Sequence, residues 1–122
     1  MRVKLRAIRG ATQLSVDTSE EMTSAVVELV QQMMELNGIE NQDLVSILFT
    51  ATPDLKSDFP AAAARSLDLA SVPLICAQEL DVTGALARTV RIMIHSYSEL
   101  PREAIQHVYL RGASALRPDL AK

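Results

Sequence analysis

The sequence predicts an α+β fold, a small mixed β-sheet with helices on one face. Three observations predict it. Strand-like and helix-like patterns alternate along the chain, as they do in sheets with crossover helices. Residues 73–78, PLICAQ, form one continuous apolar run, the signature of a strand covered on both faces. A length of 122 residues allows one domain, 1–122, with one core of modest size.

Residues 2–9, RVKLRAIR, alternate with period two, with Arg2, Lys4 and Arg6 on one face and Val3, Leu5 and Ala7 on the other. This is a half-buried strand. By parity Arg9 joins the apolar face, where a charge is costly unless paired. Gly10 then permits a turn. The stretch 18–38, TSEEMTSAVVELVQQMMELNG, reads as a helix. Thr18 and Glu21 fit a capping box, Met22, Val26, Leu29, Val30 and Met33 make the apolar stripe, and Asn37-Gly38 supplies a left-handed C-terminal cap. LVSILFTAT, 44–52, is a β-branched apolar strand that Pro53 ends. After the loop 53–59 a short helix starts near Pro60 and runs through AAAARSLDL. PLICAQ is the third strand.

Residues 83–98, TGALARTVRIMIHSYS, read as a second long helix. Leu86, Val90, Met93 and Tyr97 mark one stripe, and Arg88, Arg91 and His95 the opposite one. Asp81, with Thr83 and Gly84, would cap it. Residues 106–113, QHVYLRGA, make the last strand, with Val108 and Leu110 on one face and Tyr109 on the other. The expected total is four strands and three helices. Helices then cover one sheet face, and a second copy of the chain is the expected cover for the other.

Composition narrows the function. The formal net charge is −3, apolar residues make up 48% and aromatic residues 3%, with no Trp, so the core is aliphatic. There is no basic run and little aromatic surface for stacking on bases, which argues against a nucleic-acid partner. A single cysteine excludes an intrachain disulfide. His95 and His107 stand far apart, with no metal-ligand cluster around either. The N-terminus has no apolar signal segment, and VPLICA is too short to span a bilayer. A soluble cytoplasmic protein without a membrane partner is expected.

Several residues have both an ordinary and a functional reading. Arg9 is either a strand-end arginine reaching for water or an anion ligand, whose guanidinium fork matches a carboxylate. Cys76 in an apolar strand ordinarily packs as an inert thiol, and a nucleophilic role would need a nearby base. Glu79 is a solvated strand-end carboxylate or a pocket residue. Its parity differs from that of Cys76, so either a bulge realigns the two or they serve different pockets. Arg88, Arg91 and His95 have the ordinary reading of a solvated helix face, and Arg65 and Arg117 that of surface charges. Tyr109 is a sheet-face aromatic or a hydroxyl donor into a pocket. Arg9, Arg65, Arg91 and Arg117 are the cations that would converge on an anion.

The blocks IRGAT, TATPDL, FPA, CAQELDVTGAL, VRIM, HVYL and LRPDL resemble, in order and spacing, the small trimeric chorismate mutases of the Bacillus type. The resemblance covers essentially the whole chain. It implies a pseudo-α/β-barrel trimer with active sites between subunits. It also implies an isomerase that converts chorismate to prephenate, towards phenylalanine and tyrosine, without a cofactor or metal. It further implies site residues. Arg9 would bind a substrate carboxylate, Glu79 would meet the ring hydroxyl and Arg91 would contact the ether oxygen. Phe59, Ala61, Arg65, Leu74, Ile75, Cys76, Tyr109, Leu116 and Arg117 would line the pocket. The family often carries lysine in its FPAK block, where this chain has Ala62. Two other readings stay open on the residues alone. One is a carboxylate-binding or imine-hydrolysing trimer of similar architecture, which needs Arg9 but not Glu79 with Arg91. The other is a non-catalytic interaction module with solvated arginines.

Overall fold

The computed structural model describes residues 2–117, so Pro118, Asp119 and Leu120 of the LRPDL block lie outside the described residues. The elements are strand β1 (Lys4–Gln13), helix α1 (Ser19–Leu36), strand β2 (Leu44–Ala51), helix α2 (Pro60–Ala63), and strands β3 (Leu74–Gln78), β4 (Thr89–Ser98) and β5 (Val108–Tyr109). The five strands form one mixed sheet in the order β3-β2-β4-β1-β5. β4 runs antiparallel to both β1 and β2, while β3 and β5 add in parallel at the edges.

α1 forms where its pattern places it. Met22, Val26, Leu29, Val30 and Met33 are fully buried against Ile8, Ile47, Phe49, Val90, Ile92, Ile94 and Val108. The Thr18 hydroxyl accepts from the Glu21 amide at 3.1 Å, which is half of the expected capping box. The Glu21 carboxylate turns instead to the Ser15 amide and hydroxyl, and their hydrogen bonds hold its pKa below the usual range. At the other end Gly38 is left-handed (φ 63°), as expected. The Asn37 amide donates to the carbonyls of Met33 and Gln106 and accepts from the Gln106 N–H. That clamp ties the end of α1 to the segment leading into β5.

Residues 83–98 are the main correction. They do not form a helix: a turn with Gly84 at φ 84° and Arg88 at φ 50° leads into β4, the central strand of the sheet. TVRIMIHSYS satisfies two periods at once. Its period of two is the one realised: Val90, Ile92, Ile94 and Ser96 are buried, and Arg91, Met93, His95 and Tyr97 take the other face. Its β-branched residues favour the pleated form, and a strand with partners on both sides satisfies its backbone as fully as a helix would. Asp81, Thr83 and Gly84 therefore cap no helix. Arg88 is separated from Arg91 and His95. Its amide donates to the Asp54 carboxylate, and its Nε donates to the Leu14 carbonyl at 2.9 Å, so it braces the turn. The Thr52 hydroxyl and this amide hold Asp54 below the usual carboxylate range.

β1 is also corrected. Its helix-facing side carries Ile8 and Gly10, in register with Ile94 and Ile92. Gly10 makes no turn; it lies in mid-strand, where a Cβ would collide with the Met33 sulfur. The side with Leu5, Ala7 and Arg9 is the open one. The expected last strand shortens to Val108–Tyr109, followed by a 3-10 turn at Arg111–Ala115, and the short helix is one turn of α2 extended by a 3-10 turn at Ala64–Leu67. Among the described residues there are five strands and two α-helices, and both helices lie on one face. The opposite face exposes Leu5 (54%), Ile75 (64%) and Tyr97 (52%), a broad apolar surface that none of the described residues covers.

Candidate active site

The open face carries a cleft of about 240 Å³ lined by Arg9, Leu48, Thr50, Glu79, Arg91, Met93 and Tyr109. Strand register assembles it. Thr50 on β2 and Ala11 on β1 both pair with Arg91 on β4, and Leu48 and Arg9 both pair with Met93. Glu79 follows β3, and its amide continues the ladder to the Ala51 carbonyl at 2.9 Å. Its carboxylate thereby reaches the Thr50 hydroxyl, which donates to Oε2. The Arg91 Nε stands 3.5 Å from the same Oε2. The Glu79 side chain is 23% exposed and that of Arg91 46%, so the pair is held by protein on one side and open to a ligand on the other.

Arg9 is fixed from behind. Its backbone amide donates to His107 Nδ1 at 3.0 Å. Burial, with Arg9 and Arg117 nearby, pushes the His107 pKa down. The ring therefore stays neutral, the form whose Nδ1 accepts a hydrogen bond. Tyr109 is nearly buried on β5, packed with Ala11, Ala113, Leu86 and Leu116. Arg111 at φ 54° anchors the turn beyond it, donating to Glu21 and Glu28 of α1 at 3.1 Å each. Leu116 thus packs against Tyr109 and Ala11, and Arg117 comes near enough to His107 for its charge to act on that ring.

The other expected residues gather elsewhere. Phe59, Ala61, Arg65, Leu74, Ile75 and Cys76 line a second cleft of about 760 Å³ along α2 and the outer edge of β3, beside Ala62. Cys76 is in register with the buried Phe49 and packs against the helix-side core. Ile75 and Ala77 are in register with Leu48 and Thr50 on the open face. The ladder between β2 and β3 is regular through Gln78, so no bulge realigns Cys76 with Glu79. Within one chain the expected residues form two groups, not one. His107 and Thr50 also touch the first group; both were missed because only strand register places them there.

Chemically, the first cleft joins a carboxylate–guanidinium pair to a second guanidinium. It suits an anionic ligand in which opposite charges develop at two places. Neither histidine approaches Cys76: His95 is on the open face and His107 under Arg9. Among the described residues no three His, Cys, Asp or Glu side chains are grouped to hold a metal ion.

Residues 5–120 match the profile of the family described as chorismate mutase type I. The chain is 44% identical to chorismate mutase AroH of Thermus thermophilus over 117 residues, 95% of this chain and 96% of that one. It is 42% identical to chorismate mutase AroH of Bacillus subtilis over 118 residues, 96% and 93% of the two chains. A solved structure of a chorismate mutase from Clostridium thermocellum superposes with a TM-score of 0.87 at 43% identity, covering 89% of this chain and 97% of that one.

Proposed function

We propose that this chain, which belongs to the chorismate mutase type I family, converts chorismate to prephenate in sites that two neighbouring copies build together. It is an isomerase of aromatic amino acid biosynthesis. The observation that carries the shared site is the division of its residues. Arg9, Glu79, Arg91 and Tyr109 line the open-face cleft, with Leu116 packed against Tyr109, whereas Arg65 and Cys76 line a cleft at the far edge of the sheet. The uncovered apolar face supports a homotrimer, in which the edge cleft of one chain meets the open-face cleft of the next.

The reaction asks little covalent chemistry of the protein. Chorismate is a dianion that rearranges within itself through a cyclic transition state, with no nucleophile and no proton transfer. Arg9 holds a carboxylate, with Arg65 and Arg117 as the further cations, and the compact reactive conformer is selected by enclosure. The breaking ether bond leaves negative charge on oxygen, next to Arg91. The allyl fragment becomes electron-poor, next to Glu79. Both groups are oriented before the reaction begins. Ala62 lines the second cleft where relatives of the FPAK type have a lysine, so the rim carries one cation fewer and substrate capture is weakened more than the chemistry. No helix among the described residues is long and apolar enough to cross a membrane.

Two measurements test this reading. Purified protein should consume chorismate, followed by loss of its ultraviolet absorbance, and should elute with a light-scattering mass about three times the 13.3 kDa of one chain. A stable, active monomer would exclude the shared site. Cys76→Ser should keep most of the activity, since the thiol faces the core and the rearrangement has no covalent intermediate. A substrate adduct on Cys76 in the mass spectrum would overturn that mechanism.

A further inference from the structure

We propose that Thr50 is the positioning residue of Glu79, dividing the work of its two carboxylate oxygens. The inference rests on the reading that Glu79 faces the reacting ligand. Thr50 and Arg91 are direct register partners on β2 and β4, and Glu79 arrives from the end of β3 beside them. An ionised carboxylate only accepts, so the Thr50 hydroxyl is the donor in its contact with Oε2. Arg91 addresses the same oxygen from 3.5 Å. The hydroxyl and the guanidinium therefore both face Oε2, the first by a hydrogen bond and the second by charge, and no hydrogen bond from the described residues engages Oε1. Oε1 is the oxygen left to receive a ligand hydroxyl.

The arrangement also limits the Glu79–Arg91 pair. A free carboxylate beside a guanidinium tends towards two parallel hydrogen bonds, which would occupy Arg91. Held by Thr50 through one oxygen, Glu79 keeps Arg91 near at the loose distance of 3.5 Å and leaves guanidinium N–H groups for the departing ether oxygen. Threonine suits this task better than a longer polar residue, because its branched Cβ is stiff and sits on a strand bonded on both sides. Arg91 and Glu79 are the groups that touch substrate, and Thr50 acts through Glu79.

Thr50→Val keeps the shape and removes the donor. A hydrogen bond to a charged group supports a loss of about tenfold or more in kcat, with little change in KM. Thr50→Ser restores the donor and should recover activity to within about threefold of wild type. Glu79→Gln and the double variant complete the cycle: once Glu79 is an amide, Thr50→Val should cause little further loss. Thr50→Ala, with its oligomeric mass and thermal midpoint, replaces Thr50→Val if the latter misfolds. If Glu79→Gln is slow but Thr50→Val is as fast as wild type, the Thr50 role is wrong and the site stands. Equal losses in Thr50→Ser and Thr50→Val, or additive losses in the double variant, also overturn it. A Glu79→Gln variant as fast as wild type would remove the site reading itself.

Discussion

Arg91→Ala should lose at least roughly 10²–10³ in kcat for chorismate, with KM changing far less, the scale seen when one preorganised donor to a developing oxyanion is removed. The size follows from where Arg91 sits. It is on the central strand, hydrogen-bonded on both sides, so its backbone is fixed by two ladders. Its guanidinium is held beside Glu79 at 3.5 Å, yet is about half exposed towards the cleft. In the proposed role it would need little reorganisation as charge builds on the ether oxygen, and its attraction would be greatest when the bond is most broken. Arg91→Lys keeps the charge without the planar fork, and should recover only part of the rate. Arg9→Ala should behave differently. A carboxylate contact is similar in the ground and transition states, so its loss should appear mainly in KM. Steady-state kinetics on the three variants checks the pattern. An Arg91→Ala enzyme with wild-type kcat would return Arg91 to an ordinary surface arginine.

The same residue shows how far the sequence could be read. α1 was legible because five apolar residues at helical spacing, a Thr18 cap and Asn37-Gly38 all agree. β4 was not, because VRIMIHSY carries periods of two and 3.6 together. What decides between them is pairing with β1 and β2, which are 75 or more and about 45 positions away in sequence. The error moved Arg91 from a strand to a helix face and joined it to Arg88, which braces a turn instead. Parity did separate Cys76 from Glu79, and the regular ladder through Gln78 bears that out. The choice of Arg9, Glu79 and Arg91 came from resemblance and not from periodicity. Thr50 and His107 stayed invisible because an ordinary strand threonine and a lone histidine acquire meaning only from the residues that register brings against them.

Mixing two inactive variants should produce an active enzyme. Arg91→Ala breaks the open-face group and leaves the edge cleft intact. Arg65→Glu places a carboxylate against a dianion in the edge cleft and leaves the open-face group intact. In the proposed homotrimer, each variant alone then has every site broken. If a site takes Arg91 from one chain and Arg65 from its neighbour, co-refolding the variants in equal amounts puts an intact half beside an intact half in about a quarter of the sites, since each chain is drawn at random. Activity should rise from at most about a hundredth of wild type in the Arg91→Ala parent to about a quarter in the mixture. Simply combining the folded trimers without exchange should give only the average of the two parents. The same average after co-refolding would mean that each site is built within one chain. The open-face cleft would then have to bind and rearrange chorismate without Arg65 or Cys76, and its 240 Å³ would be the whole active site. A recovery near one quarter instead requires contact between chains at every working site, so the uncovered face of Leu5, Ile75 and Tyr97 would be serving catalysis as well as assembly.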